Sequence, residues 1–96
     1  MHIEIPHAFS ASDAAQRVKK SLDEARPKLD GQATIEKEEW EGNTLVFAVA
    51  VQGQKITGEL VAEDKKYILD AKLPLLWRMF ENKIQKAIEE QVKSIA

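Results

Sequence analysis

The chain contains no cysteine, and this absence removes several kinds of chemistry at once. Without thiols it cannot form disulfide bonds, use a cysteine nucleophile or build a cysteine-based zinc site. Residues 1–6 also lack the basic and apolar segments of a secretion signal, and no run approaches the roughly 20 apolar residues of a membrane helix. We therefore expect a cytoplasmic protein without a transmembrane segment.

The chain also has little excess of one sign of charge over the other. The 14 basic and 16 acidic residues give a net charge of −2, and they are interspersed along the chain. Such a chain has no field that would concentrate a polyanion, so nucleic acid is not an expected partner. The two histidines, His2 and His7, lack the further convergent ligands that a metal site needs. We expect no metal and no cofactor.

What the sequence does contain is enough apolar material for one core. Hydrophobic residues make up 44% and charged residues 31% of the 96 positions. This composition is far from the regime of disordered chains, and the length corresponds to one small domain. We expect a single domain over residues 1–96.

The first third of the chain predicts a strand and a helix. Alternating isoleucines at residues 2–5 indicate a short edge strand. A helix should begin at Ser10 or Ser12, because a serine hydroxyl can cap the first turn. It should end between Arg26 and Leu29, where a proline and a glycine are close by.

The middle of the chain has a period of two and predicts an antiparallel meander. Its strands are residues 33–40, 44–51, 55–62 and 67–73, separated by short polar turns. The first of these is polar and should lie at an edge, whereas residues 44–51 are apolar on both faces and should form the most central strand.

The last 24 residues, Leu73 to Ala96, predict an amphipathic helix with Pro74 in its first turn. Its apolar stripe comprises Leu76, Trp77, Phe80, Ile84, Ala87, Ile88, Val92 and Ile95. Together these elements predict an α+β fold of order β-α-β-β-β-β-α, in which two helices pack on one face of an antiparallel sheet.

Candidate reactive groups are weak. Glu36 and Glu38 should point to the same side of an edge strand, but solvated carboxylates lack the raised pKa that general acid catalysis requires. We therefore predict no catalytic residues.

Surplus apolar surface is the stronger signal. It predicts binding residues on the outer sheet face and at the start of the last helix, where a partner surface or a second subunit would dock. These residues are Val46, Ala48, Ala50, Val61, Ile68, Leu75, Trp77 and Met79.

One set of residues carries a family resemblance that spans nearly the whole chain. It consists of Trp40-Glu-Gly-Asn43, Leu45 and Phe47, the glycines Gly53 and Gly58, Leu73-Pro-Leu-Leu76, Ile84 and Ile88, with His7 as an early histidine. This pattern resembles the small family of polyhydroxyalkanoic acid system proteins.

The resemblance implies a bacterial protein associated with polyhydroxyalkanoate storage granules or with the genes that make and use the polymer, and it offers no established catalytic residues to carry over. Together with the surplus apolar surface, it leads to the hypothesis of a non-catalytic accessory protein that binds the granule surface, a granule protein or a second copy of itself as a homodimer. The alternative hypothesis is a carrier of small hydrophobic ligands, or a weak enzyme for hydroxyacyl compounds, with Tyr67, Trp40 or His7 lining a pocket between helix and sheet.

Overall fold

The computed structural model describes residues 1–95 and the side chains of residues 1–94. The elements are β1 (His2–Pro6), α1 (Ala11–Leu29), β2 (Ala33–Glu41), β3 (Thr44–Val51), β4 (Gln54–Glu63), β5 (Lys66–Lys72), a 3₁₀ segment (Leu75–Phe80) and α2 (Glu81–Ile95). The predicted α+β fold and its element order are confirmed. The predicted placement of the Ile95 side chain and of Ala96 lies outside the described residues.

All strand pairings in the sheet are antiparallel, and the spatial order is β1-β5-β4-β3-β2. The two predicted edge strands, β1 and β2, are at the edges. The prediction that β3 is the most central strand is wrong, because β4 occupies the middle. The reason is that β1 pairs with β5, with His2 opposite Asp70, and so adds a strand at the far end of the meander.

The core lies between α1 and one face of the sheet, which we call the inner face. It consists of Ile3, Ile5, Ala14, Ala15, Val18, Leu45, Ala62, Tyr67 and Leu69. These residues alternate along the strands and recur at steps of three or four in the helix, as burial of one side requires. The opposite side of the sheet, the outer face, carries the intervening residues.

Helix α1 begins as predicted. The Ser10 hydroxyl accepts a hydrogen bond from the Asp13 N–H at 3.2 Å and caps the first turn. Ala14 is fully buried, and its carbonyl accepts a hydrogen bond from the Tyr67 hydroxyl at 3.0 Å. The small alanine side chain permits this close approach of helix to sheet. The helix runs past Pro27 to Leu29.

The C-terminal region is attached less deeply than α1. Helix α2 contacts β1 and the 3₁₀ segment, but no side chain among residues 75–94 is buried. Ile84, Ile88 and Val92 are half-buried, so the predicted stripe does face the protein in this part. The predicted α-helical geometry directly after Pro74 is wrong for residues 75–80. There the Trp77 N–H donates to the Pro74 carbonyl at 2.9 Å, three residues back, as in a 3₁₀ helix.

Candidate functional site

Four large apolar side chains of the 3₁₀ segment project into solvent, and we call them the apolar ridge. They are Leu75, Leu76, Met79 and Phe80, with exposed fractions of 77%, 70%, 86% and 54%. At roughly 200 Å² for each large side chain, the ridge exposes about 500–600 Å² of apolar surface. Patches of this size usually mark interaction sites.

The ridge exists because a 3₁₀ helix has three residues per turn. Residues three apart eclipse each other, so the apolar side chains are distributed over three rows around the axis. The row of Trp77 and Phe80 is the one closest to the protein: Trp77 is half-buried, and Phe80 is the least exposed member of the ridge at 54%. The other two rows bring Leu75, Leu76 and Met79 into solvent.

Sequence reasoning found part of this ridge. Of the three binding residues that it predicts in this segment, Leu75 and Met79 are exposed and Trp77 is half-buried. It placed Leu76 and Phe80 on the buried stripe, which is wrong because that stripe assumed the α-helical period. What the sequence does show for all four residues of the ridge is the apolar composition of the segment, in which Arg78 is the one charged residue.

The predicted sheet residues lie on the outer face, which neither helix covers. Ala48 is buried by its neighbours on the sheet, with 5% of its surface exposed. The other members are half-buried: Val46, Ala50, Val61 and Ile68. The predicted binding residues other than the half-buried Trp77 therefore lie on two surfaces, the outer face and the ridge, and the binding role of each surface stays a prediction.

Charged side chains flank these apolar residues. His2 on β1 contacts the carboxylate of Asp70 through Nδ1 and that of Glu4 through Nε2 at 3.2 Å. The Lys66 ammonium donates to the other Glu4 oxygen at 3.1 Å. Both ring nitrogens of His2 can donate at the same time only in the imidazolium form. This arrangement favours a charged histidine.

The electrostatic consequences follow from these contacts. The hydrogen bond to Asp70, and then that to Glu4, raises the pKa of His2 above 6.5. The hydrogen bonds from His2 and Lys66 lower the pKa of Glu4 below 4.5. All four side chains are exposed or half-exposed, so the network is a surface feature rather than a buried reaction centre.

His7 lies in an aromatic cluster. Its Nδ1 accepts a hydrogen bond from the Phe9 N–H at 3.0 Å, and its ring centroid is 4.6 Å from that of Tyr67. The Arg17 guanidinium lies 3.7 Å from the centroid of the Phe9 ring. These contacts fix the loop between β1 and α1, which is a structural role. Burial raises the pKa of the Tyr67 hydroxyl.

The predicted carboxylate pair is not formed. A β-bulge between Ile35 and Lys37 adds a residue to β2 and reverses the alternation. Glu36 therefore faces Lys55 across the outer face, 3.7 Å away, whereas Glu38 faces α1 and pairs with Arg26 at 2.7 Å. Among residues 1–95, no group of three or more histidine, aspartate or glutamate side chains is arranged to bind a metal.

Two open grooves border α1. One, of about 360 Å³, lies between the helices and is lined by Arg17, Lys20, Lys28 and Gln91 among others. The second, of about 650 Å³, lies between the end of α1 and the start of β2. Neither is lined by Tyr67, Trp40 or His7, the predicted polar handles of a ligand pocket.

The structure defines a small α+β fold with a hydrophobic core between α1 and the sheet and with large apolar side chains exposed outside it. Comparison of the sequence with models of protein families identifies its family. The chain belongs to the family described as "putative polyhydroxyalkanoic acid system protein", whose model matches residues 1–95. No curated protein and no solved structure is significantly similar to it. No helix among the described residues is long and apolar enough to cross a membrane.

Proposed function

We propose that the protein is a non-catalytic accessory component of polyhydroxyalkanoate storage that binds the polyester surface of the granule. The observation that carries this proposal is the apolar ridge, four large side chains that are more than half exposed. The family supplies the polymer system, and the ridge supplies a surface with suitable chemistry.

The ridge carries little charge, as does the surface of a polyester. Such a polymer presents methylene, methyl and ester groups and has no fixed charges. Arg78 is the one charged residue of the 3₁₀ segment, whereas charged side chains occur throughout the outer sheet face. An uncharged surface can cover the ridge without having to match a pattern of ion pairs.

The attachment of the ridge also favours docking onto a surface. Each of its side chains would contribute up to about 1.5–3 kcal/mol if it became fully buried. The segment lies at the edge of the fold, and no side chain among residues 75–94 is part of the buried core. Insertion of the ridge into an apolar phase would therefore leave the contacts between α1 and the sheet intact.

The test is co-sedimentation of purified protein with amorphous polyhydroxybutyrate particles. Leu75→Ser combined with Met79→Ser removes the two most exposed ridge side chains, at 77% and 86%. If each is about half buried on the polymer, the double variant should bind roughly 10–100-fold more weakly. Folding should be unaffected, because exposed substitutions usually change stability by less than about 0.5 kcal/mol.

Lys83→Ser combined with Lys86→Ser is the matched control. Both lysines are exposed and lie just beyond the ridge on α2, so their removal should leave binding unchanged. Wild-type protein that stays in the supernatant, or equal binding by the ridge variant and the wild type, would refute the proposal. A fluorescent fusion that stays diffuse in granule-containing cells would do the same.

A further inference from the structure

We propose that the outer face of the sheet binds a second copy of this chain, face to face, through a charge pattern that is complementary to itself. The apolar residues of this face supply the centre of the contact. The charged residues supply its register. This inference rests on the sheet and is independent of binding to granules.

The strand register places the charges of the outer face in rows that run across the sheet. One row contains three carboxylates at paired positions, which we call the acidic row: Asp70, Glu59 and Glu39. The next row along the strands, the basic row, has lysines at both ends and no carboxylate. Its members are Lys72, Thr57, Ala48 and Lys37.

These adjacent rows have the symmetry that an isologous dimer needs. A two-fold axis across the strands, midway between the rows, places the acidic row of one copy over the basic row of the other. Each strand then lies over its own counterpart. Asp70 faces Lys72 of the second copy, Glu39 faces Lys37, and Glu59 lies diagonally opposite Lys72. Opposed charges fix the register and disfavour other alignments.

The carboxylates and lysines are available for these contacts. Within β2 the Lys37 Nζ lies 3.5 Å from the Glu39 Oε2, and the two side chains are 47% and 68% exposed. An exposed pair of this kind is weak, so exchanging it for a contact with another copy costs little. Asp70 accepts from His2 through Oδ1, and its Oδ2 can take Lys72 of the second copy.

The apolar residues lie where the centre of such an interface would be. Val46 and Ala48 on β3 and Val61 on β4 are on inner strands of the sheet. The charged ends of the rows are on β5, next to one edge, and on the edge strand β2. The centre is therefore mainly apolar, with Glu59 on the middle strand β4 as a charge within it, and the ends of the rows form a charged rim.

The strand edges are poor alternatives for self-association. The β-bulge next to Lys37 makes the backbone of the edge strand β2 irregular, and Pro6 in the edge strand β1 has no N–H donor. Bulges, charges and prolines are the features that block pairing of edge strands. Association through the outer face needs no backbone hydrogen bonds and is unaffected by them.

The size of the face sets the expected strength. Five strands about 4.8 Å apart and about seven residues at roughly 3.3 Å each give a face of roughly 550 Å² per copy. The total of roughly 1,100 Å² is at the lower limit of specific interfaces. We therefore expect a reversible dimer with a Kd of about 10–100 µM.

The alignment of the two copies is tested by reversing charges in the rows and measuring association of the variants by analytical ultracentrifugation. One variant combines Lys37→Glu with Lys72→Glu and makes both rows acidic. The other combines Glu39→Lys, Glu59→Lys and Asp70→Lys and makes both rows basic. Each variant alone should associate at least about ten-fold more weakly than the wild type. An equimolar mixture should recover association, because every opposed pair is again of opposite sign.

Circular dichroism verifies that both variants are folded, and recovery in the mixture shows that both faces are intact. The matched control, Lys83→Glu with Lys86→Glu on α2, changes the net charge by the same amount as Lys37→Glu with Lys72→Glu and should dimerise like the wild type. A wild type that is monomeric at several hundred micromolar overturns the proposal. So do charge variants that dimerise like the wild type, and a mixture that fails to associate.

The ridge variant separates this inference from the granule proposal. Leu75→Ser with Met79→Ser should dimerise normally while losing polymer binding. Dimerisation that disappears in the ridge variant would place the contact on the 3₁₀ segment and overturn the outer-face proposal.

Discussion

Replacing Gly58 by alanine should destabilise the fold, because the added methyl group has no room. A Cβ at this position would clash with the Asp70 carbonyl oxygen and would lie 2.9 Å from both the Ala71 Cα and the Phe47 ring. The first two contacts are with the backbone of β5, the strand paired with β4. Rotation of a side chain cannot relieve them, so the two strands must shift apart.

The magnitude follows from two opposing contributions. Alanine in a strand is normally more stable than glycine by about 0.5–1 kcal/mol, because it loses less conformational entropy. Overpacking against a well-packed site costs about 1–3 kcal/mol or more. The net loss for Gly58→Ala should be about 1–2 kcal/mol, which lowers the Tm of a domain of this size by roughly 5–15 °C.

Urea and thermal unfolding followed by far-ultraviolet circular dichroism measure this loss. Lys55→Ala, at an exposed position on the same strand, is the control and should change stability by less than about 0.5 kcal/mol. Adding Phe47→Leu to Gly58→Ala should not restore stability, because the backbone contacts remain. A Gly58→Ala variant as stable as the wild type would refute the packing argument.

Other substitutions test separate parts of the structure. Leu60→Ala should destabilise the fold by roughly 1.5–3 kcal/mol because Leu60 packs against the core. Phe80→Ala should cost less than about 1 kcal/mol because its side chain is 54% exposed. Equal losses of stability in urea unfolding would contradict the assignment of Leu60 to the core and of Phe80 to the surface. The NMR titration midpoint of His2 should lie above 6.5, and Asp70→Asn should lower it, because the Asp70 contact is the main cause of the raised pKa. Since the pKa of His2 is higher in the folded state than in the unfolded state, the stability that His2 contributes is complete below about pH 6.5 and is lost as the pH rises through the folded-state pKa. Unfolding measured at pH 5.5 and at pH 8.5 compares the two situations. An unchanged titration midpoint in Asp70→Asn would exclude this contact as the cause of the raised pKa. Tyr67→Phe removes the hydrogen bond to the helix carbonyl and should cost about 0.5–1.5 kcal/mol in urea unfolding, and a neutral effect would show that this bond adds nothing.

Most of the fold is predictable because its signals are local. The meander from β2 to β5 follows from alternating residues and short turns, such as the one at Gly53 with its φ of +75°. The partner of β1 is not local. The alternation of residues 2–5 predicts a strand but says nothing about its pairing with β5, so the sequence alone does not place β4 at the centre of the sheet.

The bulge in β2 shows a second limit. Strict alternation places Glu36 and Glu38 on one side, and nothing in the residue types there predicts an added position. The register with β3 creates it, because Ile35 pairs with Val49 and Lys37 pairs with Ala48. A single extra residue reverses every later side chain, which is why an apparent carboxylate pair became two unrelated ion pairs.

The candidate site was predictable in composition but not in geometry. Residues 75–80 have too few charges to suit a simple amphipathic helix, and this excess of apolar residues is visible in the sequence. Whether they form an α-helix or a 3₁₀ helix depends on where the chain is held at each end. Leu73 is buried at the end of the sheet and α2 contacts β1, and such contacts between distant parts of the chain cannot be read from the residue types of the segment.

The two exposed surfaces differ in chemistry, and this difference separates their proposed roles. The ridge is apolar with Arg78 as its one charge, so its binding depends on burial of apolar area, which screening by salt does not weaken. The outer face carries rows of opposite charge, so association through it should weaken as salt screens the pairs. A dimer formed through that face carries two ridges. Two weak contacts on one granule would bind more tightly than either alone, provided that both reach the surface, and self-association could therefore strengthen attachment without any further contact to the polymer.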